Sequence, residues 1–171
     1  MNSEGVNVMN EVKNAEKNAV SAKNLPMLLR EANQNDLNFI YNSWSYTYRK
    51  SPIMYRMDVK LYFENQTKQM HRILKDSCVY IACDSEDPSH IFGYIVFEDL
   101  QNIAVIHYIY VKNSFRKNGI ASYLLESVGI NERPCVATHD TWYFPFLRDK
   151  YSGRLIYNPF LLMGGHYYDG Y

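Results

Sequence analysis

Cysteine is scarce and unpaired in this sequence. The 171 residues include three cysteines, Cys78, Cys83 and Cys135, and no two of them form a CxxC pair. An odd number without that spacing argues against a disulfide framework and a cysteine-based zinc site, and it favours a reducing cytoplasmic setting. Histidine spacings of the HExxH or HxxxH type are also absent, so we predict no metal site.

Long apolar runs and net charge are lacking as well. No stretch approaches the roughly 20 apolar residues of a membrane span, and the N-terminus lacks the apolar centre of a secretory signal. Basic and acidic residues number 18 each, which excludes binding of nucleic acid through bulk charge. The hydrophobic content of 47% is typical of a globular domain. We predict a flexible extension over 1–25 and one domain over 26–171.

Charge is nevertheless unevenly distributed along the chain. Residues 41–75 hold seven lysines and arginines against two acids, interleaved with aromatic residues, whereas 76–102 hold six acids and no lysine or arginine. Cations can bind phosphates while aromatic rings stack on bases, so 41–75 is one candidate nucleic-acid surface. The other interpretation is an amphipathic helical pair with its aromatic side in the core.

Hydrophobic periodicity predicts the element order β-α-α-β-β-β-α-β-α-β. Strands are predicted over 27–32, 78–83, 91–98, 104–111 and 135–138, with a last extended segment over 154–162. Helices are predicted over 37–48, 59–75, 119–128 and 141–150, the last interrupted by Pro145. The core positions expected in the second helix are Leu61, Tyr62, Met70, Ile73 and Leu74.

The segment AVIHYIYVKNSFRKNGIASYLL, residues 104–125, is the most informative one. A strand leads through the turn 116–121 into a helix, and the first turn of a helix has backbone N–H groups without intrahelical partners. These groups and the helix dipole suit a phosphate. Gly119 permits close approach of a ligand, and Arg116 adds positive charge. Neither GK[ST] nor GxGxxG is present, so the turn is neither of those nucleotide-binding loops.

Arg116-x-x-Gly119-x-Ala121, between a strand and a leucine-rich helix, resembles the acetyl-CoA motif of the GNAT N-acetyltransferase superfamily. The opening LLREANQNDLNFIYNSW and the strand IFGYIVFE are also similar to members of that family, and the resemblance covers roughly 27–138. It implies an α/β (α+β) fold with a GNAT-like mixed, mostly antiparallel twisted sheet flanked by helices. More loosely, NSWSYTYRKSP and RLIYNPF resemble acetyltransferase-like proteins of tailed bacteriophages.

The resemblance implies acetyl-CoA as the cofactor, with the diphosphate on the turn and the pantetheine beside the strand. The cofactor contacts that it implies are Ile109, Tyr110, Val111, Arg116, Lys117, Asn118, Gly119, Ile120, Ala121 and Ser122. An amine then attacks the thioester directly, after losing a proton, because an alkylammonium has a pKa of about 10.

The general base and the general acid have several candidates. His107 matches a strand histidine of arylalkylamine N-acetyltransferases and, by strand alternation, is expected on the same sheet face as Ile109. The other interpretation of His107 is a buried histidine bonded to the backbone. Glu98 could act through water. The tyrosine that many members use as the acid is missing, so Tyr143 and Tyr151 are its substitutes.

Three functions follow from these observations. The first is an N-acetyltransferase acting on a small-molecule or peptidyl amine, and the second is a DNA-base-modifying enzyme on the same fold, similar in kind to the phage Mom protein. The third is a non-catalytic binding module that has kept the fold. The resemblance also raises a homodimer as one oligomeric state, and the sequence indicates no membrane partner.

Overall fold

The computed structural model describes residues 25–100 and 102–163. Its strands are β1 (Met27–Glu31), β2 (Cys78–Asp84), β3 (Ile91–Leu100), β4 (Ile103–Val111), β5 (Cys135–Ala137) and β6 (Leu155–Tyr157). Its α-helices are α1 (Leu37–Tyr48), α2 (Val59–Asp76), α3 (Ile120–Ser127) and α4 (Phe144–Lys150). Short 3-10 turns span Gln34–Asp36, Met54–Arg56, Asn113–Phe115 and Pro159–Met163. The predicted order of strands and helices is confirmed.

The strands form one open sheet in chain order, β1-β2-β3-β4-β5-β6. Neighbours from β1 to β4 are antiparallel, whereas β5 runs parallel to β4 and β6 runs parallel to β5. The prediction of a mixed, mostly antiparallel sheet flanked by helices is therefore confirmed. Short turns join β2 to β3 and β3 to β4, whereas α1 and α2 lie between β1 and β2. The parallel connections carry α3 and α4, as crossovers require.

Each face of the sheet is covered by its own hydrophobic core. One core, which we call the α3 core, packs Ile120, Leu124 and Leu125 of α3 against Ile106 and other residues of the sheet. The other, the α1–α2 core, surrounds Trp44, which is fully buried. The two cores explain the nearly continuous apolar runs of β3 and β4, because both faces of these strands are buried.

A β-bulge in β4 breaks the alternation of its side chains. Val96 pairs with Tyr108 and Phe97 pairs with Ile106, so His107 is an extra residue with no partner of its own on β3. As a result Ile106 and Ile109, three positions apart, both pack in the α3 core, and Tyr108 between them packs in the α1–α2 core. The bulge removes the strict alternation on which the expected shared face of His107 and Ile109 rested, so that shared face stays a prediction.

The strands β4 and β5 separate at the middle of the sheet. Their pairing covers only Ala104–Ile106 and Cys135–Ala137, and the last bond runs from the Thr138 amide to the Ile106 carbonyl at 3.0 Å. Among the described strands, only β3 pairs with the second half of β4. One edge of residues 107–111 is therefore open to a ligand that offers hydrogen-bonding groups.

Three local predictions need correction. Leu61 is half exposed rather than part of the core, because the buried stripe of α2 runs through Tyr62, Gln66, Met70 and Ile73. Pro145 does not interrupt α4, since it lies in the first turn, where its missing N–H is not needed. The predicted extended segment 154–162 is a strand only over Leu155–Tyr157 and then turns into a 3-10 helix.

Some predictions concern residues outside the described ranges. Apart from its last residue, the extension predicted over 1–25 falls there, as does the tail after residue 163. The domain boundaries therefore stay a prediction. Within the described ranges, no helix combines the length and the apolar character that crossing a bilayer requires.

Candidate active site

A cleft of about 550 Å³ opens where β4 separates from β5. Its walls are the exposed edge of β4, the turn leading into α3, the end of α1 and the loop before α4. Nine of the ten predicted cofactor contacts line it: Ile109, Tyr110, Val111, Arg116, Lys117, Gly119, Ile120, Ala121 and Ser122. The tenth, Asn118, uses its side-chain amide to bond the Phe115 carbonyl at 3.3 Å.

The turn into α3 has a conformation that exposes its backbone N–H groups. Gly119 is the N-cap of α3 and has a φ of 82°, in the left-handed region, where glycine costs little. Lys117 also has a positive φ, of 65°. Because glycine provides no side-chain acceptor, the first-turn N–H groups of α3 stay available to an anion. The residues of the turn can therefore hold a diphosphate.

Arg116 joins the turn to the loop before α4. Its Nε donates to the Val111 carbonyl at 3.2 Å, and its Nη1 donates to the Tyr143 hydroxyl at 2.6 Å. The guanidinium also stacks 4.9 Å from the centre of the Tyr143 ring. A second contact between the same parts is the Lys150 ammonium, which donates to the Ser122 hydroxyl at 2.5 Å. Both contacts hold α4 across the start of α3.

The two tyrosines proposed as general acid lie in different surroundings. Tyr143 is half exposed, lines the cleft and has its hydroxyl bonded to Arg116. Tyr151 is buried in the α3 core, does not line the cleft, and its hydroxyl has no hydrogen-bond partner among the described residues. Of the two, only Tyr143 is brought to the cleft.

The two base candidates contact each other. His107 is buried, and its Nε2 lies 2.9 Å from Glu98 Oε1. The hydrogen bond from the His107 ring holds the pKa of Glu98 below its ordinary value. His107 therefore bonds a carboxylate rather than the backbone, and neither of these two side chains lines the large cleft.

Two further polar residues extend this contact inward, and sequence reasoning did not assign them a role. Thr138 Oγ1 lies 3.1 Å from His107 Nδ1 and 2.9 Å from His139 Nδ1. His139 is buried, and burial lowers its pKa to about 3. The only sequence signal was their position directly after the short apolar strand β5, which does not reveal contact with a residue 31 positions earlier.

The end of the cleft beside α1 is lined by side chains that do not belong to the acetyl-CoA motif. Tyr108 is buried, and its hydroxyl lies 2.7 Å from Thr47 Oγ1. Trp142 closes this end from outside, since its indole N–H donates to the Lys50 carbonyl at 2.5 Å. Trp142 lies 92 positions after Lys50, and only the fold brings the two together.

The basic and aromatic segment 41–75 is largely an amphipathic helical pair. Trp44, Tyr48 and Tyr62 are buried in the α1–α2 core. Arg49 donates to the Met54 carbonyl at 2.5 Å and to the Met57 carbonyl at 2.7 Å, so its charge serves the loop between α1 and α2. Core packing accounts for this part of the pattern, and nucleic-acid binding by the segment stays a prediction.

Chemistry based on thiols or metals finds little support in the described ranges. Cys135 is fully buried, and burial raises the pKa of its thiol to about 11, so a reactive thiolate is disfavoured. Across residues 25–100 and 102–163, no group of three histidine, cysteine or acidic side chains could hold a metal ion.

Comparison with known sequences decides the family. The sequence model of the Acetyltransferase (GNAT) family matches residues 37–128, which is more than half of the chain. The chain belongs to the acetyltransferase (GNAT) family. A search of proteins with curated descriptions finds no match.

Solved structures of acetyltransferases share the fold at low sequence identity. A GCN5-related N-acetyltransferase from Ralstonia eutropha JMP134 has a TM-score of 0.56 and 15% identity, covering 74% of this chain and 91% of its own. A putative acetyl transferase from Pyrococcus furiosus has a TM-score of 0.50 and 14% identity, covering 77% and 81%. A possible acetyltransferase from Clostridium difficile 630 has a TM-score of 0.50 and 15% identity, covering 85% and 95%.

Family membership confirms two of the predictions made from the sequence. The protein is an N-acetyltransferase, and its cofactor is acetyl-CoA. The acceptor, the roles of individual residues and an origin in a bacteriophage stay predictions.

Proposed function

We propose that this acetyltransferase binds acetyl-CoA in the 550 Å³ cleft and transfers the acetyl group to an amine by direct attack. The observation that carries the proposal is the meeting of the open edge of β4 with the start of α3 in one cavity. Backbone groups of Ile109, Tyr110 and Val111 would bond the pantetheine, and the N–H groups after Gly119 would bond the diphosphate. The exposed Lys117 adds a positive charge beside them.

The acceptor end of the cleft supports a particular class of amine. The described residues that line the whole cleft include three cations, Lys50, Arg116 and Lys117, and no carboxylate. Arg116 and Lys117 belong to the cofactor turn, so the cation at the acceptor end is Lys50, and a polycationic acceptor would meet like charge there. We therefore propose a small-molecule or peptidyl amine that carries an anionic group, which Lys50 is placed to bind.

We propose that Tyr108, rather than Tyr143 or Tyr151, is the general acid that protonates the leaving thiolate. Arg116 holds the Tyr143 hydroxyl, and Tyr151 lies outside the cleft. Tyr108 lines the cleft, and its hydroxyl is fixed by Thr47. Burial raises its pKa, so the phenol stays protonated in the resting protein and has a proton to give as the thiolate leaves.

The cofactor site is tested by two substitutions of the same glycine. Gly119→Glu places a carboxylate where the diphosphate would bind, whereas Gly119→Ala adds the same left-handed strain without charge. Calorimetry should show selective binding of acetyl-CoA over ATP by the wild type and a loss of at least about 100-fold in the Glu variant, equivalent to about 2.7 kcal/mol. Gly119→Ala should lose much less.

The acceptor class is tested by release of the CoA thiol with three amines. Phenethylamine is neutral apart from its amine, spermidine is a polycation, and an acidic tripeptide with a free N-terminus carries anionic groups. The tripeptide should give the highest kcat/KM, and Lys50→Gln should remove its advantage over phenethylamine. Equal binding of acetyl-CoA by the Gly119→Glu variant would contradict the cofactor site, and preference for spermidine would contradict the acceptor class.

A further inference from the structure

The direction of each hydrogen bond between Glu98 and His139 follows from the carboxylate at one end. Glu98 is ionised near neutral pH and can only accept, so His107 in its neutral form donates from Nε2 and has Nδ1 as an acceptor. The single O–H of Thr138 has two acceptors within reach, His107 Nδ1 at 3.1 Å and the Ile106 carbonyl at 3.5 Å, and the shorter contact directs it to His107. Thr138 Oγ1 is then an acceptor towards His139, which must donate from Nδ1. We call these four residues the relay chain.

This assignment leaves His139 Nε2, at the inner end of the relay chain, without a proton and without a hydrogen-bond partner among the described residues. A neutral imidazole carries one ring proton, so a proton on Nδ1 of His139 means a lone pair on Nε2. That atom is also buried. An unsatisfied buried nitrogen is costly, and its presence calls for an explanation.

The ring of His139 lies beside the cleft. It packs edge-on against Trp44 and Tyr48, with ring centres 5.4 and 4.6 Å away, and it lines a second cavity of about 20 Å³. Such a volume can hold one water. This small cavity shares Tyr108 and Ile109 with the lining of the large cleft, so the two cavities adjoin.

We propose that His139 Nε2 accepts the proton of the acceptor ammonium, and that the relay chain fixes the tautomer that makes this possible and carries the charge away. The inference rests on the proposed function, since it assigns a base to that reaction. In it His139 is the catalytic base, acting through one water in the small cavity, and the other three residues are positioning residues.

Movement of the proton along the relay chain keeps positive charge out of the core. When Nε2 takes a proton, His139 gives its Nδ1 proton to Thr138, and Thr138 gives its own proton to His107 Nδ1. His139 ends neutral in the other tautomer, and the charge appears on His107, 2.9 Å from the Glu98 carboxylate. Burial opposes charge on His139, whereas an ion pair with a partly exposed carboxylate can hold it.

The chemical step balances with this route. The deprotonated amine uses its lone pair to form a C–N bond to the thioester carbonyl carbon, and the C–S bond breaks with its electron pair going to sulfur. Tyr108 gives its proton to the thiolate, which becomes the free thiol of CoA, and the second proton on nitrogen restores the phenol. The first proton leaves to solvent from the pair of His107 and Glu98, because the Glu98 side chain is 32% exposed.

The test uses a matched pair of substitutions at the middle of the relay chain. Thr138→Val removes the hydroxyl with little change in volume, and Thr138→Ser keeps it. Two-bond ¹H–¹⁵N spectra of the full chain report the tautomer of each of its five histidines, and His139→Gln assigns the signal. We expect His139 with its proton on Nδ1 in the wild type and in Thr138→Ser, and on Nε2 in Thr138→Val, the form that free histidine favours.

Turnover supplies the second arm. Removing a general base typically costs about 10² to 10⁴-fold, so Thr138→Val should lower kcat by about 100-fold with the acidic tripeptide or, without an amine, in acetyl-CoA hydrolysis. Thr138→Ser should restore kcat, and binding of acetyl-CoA should be equal in all three proteins. A wild-type His139 protonated on Nε2, or full turnover by Thr138→Val, would overturn the inference. Failure to bind acetyl-CoA despite the Nδ1 tautomer would instead overturn the proposed function.

Discussion

Tyr143 and Tyr151 flank the same short helix, yet they differ in everything that matters for chemistry. The Tyr143 hydroxyl accepts a hydrogen bond from Arg116 at the rim of the cleft, and the same guanidinium stacks on its ring. Tyr151 is enclosed by the α3 core, with its hydroxyl unpaired among the described residues. A buried hydroxyl without a partner typically costs about 1–3 kcal/mol, so this residue lowers stability.

Removing the Tyr151 hydroxyl should therefore leave activity unchanged and raise stability. Tyr151→Phe keeps the ring and is expected to increase the free energy of unfolding by about 1 kcal/mol, measured by urea denaturation. Tyr143→Phe is the matched control: it should leave stability within about 0.5 kcal/mol, because the residue is half exposed, and should weaken acetyl-CoA binding by loosening Arg116. A loss of kcat in Tyr151→Phe would contradict this prediction and would indicate that Tyr151 acts as the general acid.

At the scale of elements, the close contact of β3 with β4 sets the edge that faces the cleft. Gly93 on β3 pairs with Val111, and a Cβ at that position would overlap the Tyr110 carbonyl and lie 3.2 Å from the Val111 Cα. A glycine here lets the end of β4 approach its neighbour. The same two residues of β4 line the cleft on the other side.

Gly93→Ala should consequently disturb both stability and cofactor binding. Displacing β4 to admit a methyl group should cost about 2–3 kcal/mol, as overpacking generally does, and should raise the Kd for acetyl-CoA. Gly153→Ala is the control, since it adds the same methyl group with nothing within 4 Å and only the strain of a φ of 76°. Equal stability losses, measured by thermal and urea unfolding, would refute a special role for the contact.

At the scale of the whole molecule, Arg30 joins the start of α1 to the loop between β2 and β3, 58 positions away. Arg30 of β1 binds both carboxylate oxygens of Asp36 at 2.7 and 2.9 Å, at the start of α1, and also bonds the Pro88 carbonyl between β2 and β3. The Asp36 carboxylate also accepts a hydrogen bond from the backbone N–H of Asn33. The hydrogen bond from Arg30 lowers the pKa of Asp36, which is buried.

The ion pair of Arg30 and Asp36 makes stability depend on pH in a defined direction. A carboxylate whose pKa is depressed by folding stabilises the fold at pH values above its unfolded-state pKa of about 3.9. That stabilisation is lost as the pH falls through the pKa of the folded state. Asp36→Asn should lower the free energy of unfolding by about 2 kcal/mol at pH 7, less than for fully buried pairs because Arg30 is partly exposed. The difference from wild type should shrink below about pH 4.

The control for this experiment is Asp149→Asn, an exposed acid whose loss should change stability by less than about 0.5 kcal/mol at any pH. The free energy of unfolding is measured by urea denaturation from pH 7 to pH 3. A difference between wild type and Asp36→Asn that stays constant over this range would show that the ion pair does not cause the pH dependence.

The parts of the fold that could be predicted are those set by short-range patterns. Apolar spacing of period 2 or 3.6, the turn with Gly119 and the helix start after it involve neighbours in sequence, so the order of elements and nine cleft-lining residues were accessible. Leu61 shows the limit of this approach: an apolar residue next to the buried stripe looks the same in sequence as one within it.

The amino-acid sequence alone therefore specifies the protein family and the cofactor, because the strand, the glycine turn and the helix start that carry them are contiguous. The bulge that displaces His107, the meeting of His107 with Thr138 and the meeting of Tyr108 with Thr47 required the assembled sheet. These contacts join residues 31 and 61 positions apart, and their geometry depends on where β4 leaves β5. Such separations leave no periodic signal, since only packing brings the partners together.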